Sequence, residues 1–151
     1  MNLQSLRESS PLLTKLSNTE LEFFESVSRQ VRLEGGEILF EEGAPADDFY
    51  VISEGRVGLE ITSPGKAPMI IQTLGTGDLV GLSWFFPPYR WIWRARAMTD
   101  TSLVAFDAVE VRRKCQENRD LALEVTGVVA SELAARLHRT RVQLLDLYGA
   151  P

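Results

Sequence analysis

Nine glycines fall between residues 35 and 81, at positions 35, 36, 43, 55, 58, 65, 75, 77 and 81. No helix accommodates that density, because each interior glycine costs about 1 kcal/mol relative to alanine. The runs between and after the glycines are short, apolar and rich in β-branched residues: EILF, DFYVIS, RVGLEIT, PMIIQTL, WRARAM and SLVAF. Strand alternation sets Val57, Leu59 and Ile61 on one face and Arg56, Gly58, Glu60 and Thr62 on the other. Short strands with turn signals every ~8–12 residues indicate a sandwich or a jelly-roll barrel. Residues 63–66, SPGK, read as a hairpin turn with Pro64 and Gly65 at its corners.

The flanks read differently. Residues 13–33 place Leu13, Leu16, Leu21, Phe24, Val27 and Val31 at near-helical spacing. Ser17 or Asn18 is a natural cap there, with Glu20 and Glu22 in the positive first turn. Beyond Phe106 the glycines nearly stop, and residues 118–148 read as one helix, capped by Asn118 or Asp120 and ended by Gly149 and Pro151. Such a helix spans about 45 Å, more than a small barrel can cover. Gly127 is expected to mark a bend or a close packing point. Ala130, Leu133, Leu137, Thr140, Leu144 and Tyr148 form a coiled-coil-like seam. The first half of the helix is therefore expected on the barrel, and residues 130–148 against a twin helix in a homodimer. The expected organisation is one mainly β domain with flanking helices: helical residues 1–33, a jelly-roll barrel over 34–107 and helices over 108–151.

The 151-residue chain is 44% hydrophobic and 25% charged, with a net charge of −5, an ordinary globular balance. No apolar run approaches the roughly 18 residues of a membrane span, and the first residues do not read as a signal peptide. With one cysteine, Cys115, and no membrane association expected, the reading is a cytoplasmic protein. An enzyme is not expected. The single histidine is His138, Asp47 and Asp48 adjoin each other without acid–base geometry, and no nucleophile or phosphate-loop motif is present.

Residues 35–61, GGEILFEEGAPADDFYVISEGRVGLEI, and LGTGDLVGLSWF at 74–85 resemble the cyclic-nucleotide-binding domain of the cAMP receptor protein (Crp/Fnr) family. The resemblance covers about Leu12 to Tyr148. It implies a double-stranded β-helix barrel, an N-terminal helix and a long C-terminal dimerisation helix. It also implies a short helix opening at Gly81 whose free N–H groups hold a cyclic phosphate, with Ser83 as an extra donor. Arg90 would set its guanidinium on that phosphate, with Arg94 the fallback. Val57, Leu59, Ile71 and Leu74 would bed the base, Gln72 would offer a polar side chain, and Thr140 would reach the adenine amino group.

Two positions depart from the family pattern. Leu82 stands where a glutamate accepts the sugar hydroxyl; losing a bond to a charged group costs about 1.5–3 kcal/mol. Trp91 stands where a serine or threonine helps bind guanine, which favours cAMP over cGMP. The family's DNA-binding helix-turn-helix is missing, so DNA binding by residues 1–151 alone is not expected. The cluster Arg136, His138, Arg139 and Arg141 reads as a solvated helix face, and Arg94 and Arg96 are expected to point to solvent. The implied role is a stand-alone cAMP-type sensor that signals to a protein partner through its C-terminal helix. The alternative is a nucleotide-independent protein-interaction module built on the aromatic cassette 82–93.

Overall fold

The computed structural model describes residues 3–148. Three short helices open the chain: α1 (Gln4–Arg7), α2 (Pro11–Lys15) and α3 (Asn18–Ser26). Ser10 caps α2 by accepting from Leu13 N–H at 3.1 Å. Ser17 and Glu20 form a reciprocal capping box at the start of α3.

Seven strands follow: β1 (Ser28–Leu33), β2 (Ile38–Phe40), β3 (Asp48–Glu54), β4 (Val57–Ile61), β5 (Met69–Leu74), β6 (Arg94–Ala97) and β7 (Thr101–Asp107). They form two antiparallel sheets ordered β1-β7-β3 and β2-β6-β4-β5. The expected strand runs all appear, and Lys66 N–H closes the 63–66 turn on the Ser63 carbonyl at 3.2 Å.

The N-terminal flank differs from expectation. Residues 28–33 are not helix but strand β1, in continuous register with β7 from Ser28↔Phe106 to Leu33↔Thr101. The interval from Val27 to Val31 fits a helical turn and also two strand repeats, and pairing with β7 decides between them.

The core gathers where the sheets meet the helices. Phe49 stacks on Trp84 with ring centroids 3.8 Å apart and on Phe106 at 5.0 Å, while Phe24 meets Phe106 at 5.6 Å. Gly77 has φ +88°, and a Cβ there would overlap the Ser9 carbonyl, so this glycine seats the α1–α2 turn on the barrel.

Helix α4 (Ala108–Glu117) is capped by Asp107, and Asn118 then caps α5 (Arg119–Tyr148) through a 3.1 Å bond from Leu121 N–H. Gly127 is neither break nor packing point: the helix runs through it, and a Cβ there would meet nothing within 4 Å. Gly149 and Pro151, the expected helix stops, lie outside the described residues. Among the described residues, no helix is long and apolar enough to cross a membrane.

Candidate functional site

A cavity of about 660 Å³ lies between the β4–β5 side of the four-stranded sheet, the segment 81–93 and α5. That is the size of a drug-like ligand site, for which about 300–1,000 Å³ is usual. Its floor includes Leu59, Ile71 and Gln72, and Leu133, Arg136, Leu137, Thr140 and Gln143 of α5 close it from the other side. Of the residues expected at a site, Gly81, Leu82, Ser83, Trp91, Gln72, Ile71 and Thr140 all line this one cavity.

Arg90 does not. Its side chain is exposed, and its Nη1 donates to the Gly43 carbonyl at 2.8 Å. The reason is local pairing between the cassette loop and residues 43–46. Gly43 N–H donates to the Trp91 carbonyl at 2.7 Å, Trp91 N–H to Ala44 at 3.0 Å and Ala46 N–H to Tyr89 at 2.7 Å. That pairing sets Arg90 on the outer side of the loop.

Trp91 takes the place beside Gly81 instead. Its ring stacks on Phe40 at 3.9 Å with planes 7° apart. Gly81 has φ +81°, and a Cβ there would come within 2.5 Å of that ring, so only glycine permits both the turn and the contact. The expected short helix is a 3-10 turn of three residues, Ser83–Phe85.

The aromatic cassette divides between core and surface. Trp84 and Trp91 are buried, Phe85 and Tyr89 are half-buried, and Phe86 and Ile92 are exposed. Arg112 of α4 pins the segment from behind. Its guanidinium lies 4.0 Å over the Tyr89 ring, and its Nη1 donates to the Trp84 carbonyl at 2.6 Å. Trp84 and Trp91 are used in packing, and Phe86 and Ile92 are what the cassette leaves exposed.

Two further expectations about charge are corrected. Arg94 and Arg96 do not point freely to solvent. They flank Glu60, which is buried at 6% exposure despite its place on the supposed outer face. Arg96 Nε sits 3.2 Å from Glu60 Oε1, and Arg94 bridges Glu60 at 3.8 Å and Glu41 at 2.7 Å. The register explains this: Arg94 is directly across from Glu60, and Arg96 is across from Gly58, two residues from Glu60 on the same face.

Arg136, read as part of a solvated face, is instead a cavity residue with a side chain only 14% exposed. Its Nη2 donates to the Leu79 carbonyl at 2.7 Å, while its Nε is buried without a hydrogen-bond partner. Burial lowers its affinity for a proton, opposed by the nearby Glu132 carboxylate, yet an arginine stays charged at working pH. The signal for it was present in the sequence. Arg136 stands four residues before Thr140 and three after Leu133, on the stripe that carries the seam.

Thr140 is in the expected place, and its hydroxyl donates to the Arg136 carbonyl at 2.9 Å. Among the described residues, no group of three or more His, Cys, Asp or Glu is arranged to hold a metal ion.

Residues 30–118 match the family model for the cyclic nucleotide-binding domain. The anaerobic regulatory protein of Bacillus subtilis (strain 168) is 26% identical over 151 residues, covering 99% of this chain and 61% of that protein. The CRP-like cAMP-activated global transcriptional regulator of Mycobacterium tuberculosis (strain ATCC 25618 / H37Rv) is 28% identical over 112 residues, covering 74% and 48%. This chain thus spans roughly half to three-fifths of these relatives. Among solved structures, the N-terminal domain of a transcriptional regulator from Streptomyces coelicolor A3(2) superposes with a TM-score of 0.68 at 27% identity, covering 93% of this chain and 94% of that one.

Proposed function

This chain belongs to the cyclic nucleotide-binding domain family, and on that premise we propose that it is a ligand-sensing regulatory domain. A small molecule held between the barrel and α5 favours one placement of α5, and a twin chain or another protein reads that placement. One observation carries this reading: Leu133, Leu137 and Thr140 belong both to the cavity wall and to the exposed seam of α5. A ligand in the cavity touches the residues that a partner helix would cover, so its binding energy is coupled to their placement.

The family's ligand class is a cyclic nucleotide, and cAMP is preferred here over cGMP because Trp91 removes the hydroxyl that would serve guanine. The name of the mycobacterial relative supports the same preference. With Leu82 unable to accept the sugar hydroxyl and Arg90 outside the cavity, affinity for cAMP is expected only at high micromolar to millimolar concentration. The role is regulatory rather than catalytic, residues 1–151 act without contacting DNA, and the protein works in the cytoplasm.

Hydrogen exchange of residues 130–148 tests the sensor reading. Saturating ligand, with millimolar cAMP as the first probe, is expected to change exchange there. A ligand that binds in the cavity and leaves 130–148 unaltered would overturn it. Association is tested separately by sedimentation. The wild type is expected to sediment as a dimer at tens of micromolar, and Leu137→Glu with Leu144→Glu as a monomer. A monomeric wild type removes the twin-chain part of the reading.

A further inference from the structure

We propose that the ligand this cavity selects is an organic acid with a large apolar body, its carboxylate held by Arg136. The proposal rests on the sensor reading and names the ligand class for it.

Charge is the first argument. Among the described residues, Arg136 is the only charged side chain lining the cavity. Glu132 lies 3.6 Å from Arg136 Nε, beyond hydrogen-bonding distance, and is not part of the cavity wall. The cavity wall therefore presents one cation, whose ion-pair partner Glu132 lies outside the wall, which fits one anionic group. Hydrogen bonding sharpens this. Arg136 Nε is buried beside Glu132 and Nη2 is occupied by the Leu79 carbonyl, which leaves Nη1, among the described residues, as the guanidinium nitrogen without an ion-pair or hydrogen-bond partner. A carboxylate is the acceptor that a guanidinium engages best.

The remaining surface selects against a sugar. The polar side chains of the wall are few, namely Gln72, Ser83, Thr140 and Gln143 beside Arg136, and the Thr140 proton is already donated to the Arg136 carbonyl. Leu82 stands at the position expected to meet the sugar, and the Trp91 ring packs against Gly81. The rest is aliphatic or aromatic, and seven apolar residues of the lining are themselves solvent-exposed: Ile61 (38%), Met69 (66%), Ile70 (49%), Phe86 (38%), Ile92 (59%), Leu133 (44%) and Leu137 (53%). Exposed apolar patches of this kind mark binding surfaces. An apolar chain or ring system satisfies these walls; ribose hydroxyls do not.

Trp91 and Trp93 line the cavity, so intrinsic fluorescence reads occupancy directly. The probes are dodecanoate below its micelle concentration, 1-dodecanol and cAMP, titrated into the full chain. Dodecanoate is expected to bind at least tenfold more tightly than cAMP. Arg136→Met is expected to weaken dodecanoate at least tenfold and leave dodecanol unchanged. Leu133→Glu leaves Arg136 in place but supplies it with a carboxylate three residues away, and is expected to weaken dodecanoate similarly; at 44% exposure Leu133 tolerates the change. If cAMP binds as tightly as dodecanoate, or if both variants keep wild-type dodecanoate affinity, the proposal is overturned. Dodecanoate that binds through Arg136 without altering exchange of 130–148 sinks the sensor reading and leaves the ligand class standing. If cAMP alters that exchange while dodecanoate does not bind, the sensor reading stands and the ligand class falls.

Discussion

The two halves of α5 have similar sequences and opposite fates. In the first, Leu121, Val125, Val128 and Val129 are buried over the helices and barrel. In the second, Leu133 (44%), Leu137 (53%), Leu144 (50%), Leu145 (68%), Leu147 (73%) and Tyr148 (82%) face outward. Both halves are leucine- and valine-rich, and both are continuous helix. The difference lies in what is within reach: α2 and α4 pack on α5, whereas the second half faces the barrel across the cavity and bonds to it through Arg136 and the Leu79 carbonyl. Helices of this length are marginal without tertiary contacts. The first half is therefore held within the single chain, while the apolar face of the second is left uncovered.

The comparison is broken most directly by truncation. Leu121→Ala is expected to cost about 2–5 kcal/mol, the range for a buried leucine, and to lower the melting midpoint by roughly 5–15 °C. Leu147→Ala is expected to stay within about 0.5 kcal/mol. Thermal melts at low protein concentration, where association does not contribute, measure both. Equal losses would mean that the second half is already packed within a single chain.

A chemical probe gives the next largest contrast. Cys115 on α4 is half-buried; burial, with a smaller contribution from the Glu20 carboxylate, pushes its thiol up from 9.0 to about 11. Only the thiolate reacts, so at pH 8 Cys115 is expected to react with a disulfide reagent about 100-fold more slowly than the thiol introduced by Leu145→Cys in a Cys115→Ala background. The folded state holds the Cys115 proton more tightly than the unfolded chain does. That contribution to stability is full below about pH 9 and is lost as pH rises towards 11. Urea melts of wild type and Cys115→Ala across that interval check the sign: wild type loses more.

What the chain discloses about itself follows the same division. The barrel was legible because its signals are local: glycines at the corners, β-branched runs between them, and the SPGK turn. Strand β1 was not, since the four-residue step from Val27 to Val31 belongs to both periods and only pairing with β7 separates them. Glu60 misled for a related reason. Alternation sets it outward, and its burial arises from Arg94 and Arg96 on β6, which a single strand does not reveal. At the site, the resemblance pointed to Gly81, Ile71, Gln72 and Thr140, and they share one cavity. The arginine was not. A motif position pointed to Arg90, but backbone pairing with residues 43–46 turns it outward. Arg136 was hidden in what looked like a basic surface run, although its spacing to Leu133 and Thr140 placed it on the seam stripe.

Gly127 gives the finest test of where the first half ends. It is exposed, helical and free of neighbours within 4 Å of a Cβ, so in a single chain its only effect is the backbone freedom it adds to the unfolded state. Gly127→Ala is then expected to stabilise by about 1 kcal/mol and to raise the midpoint by about 2–4 °C. The sign decides the matter more than the size. A rise at every protein concentration means that nothing seats on this turn and that the seam begins beyond it. A rise at low concentration that becomes a fall at high concentration means that a twin helix crosses at Gly127, where a methyl group would intrude. The boundary between the self-supporting and the partner-dependent half of α5 would then lie at least three residues nearer the barrel than Ala130.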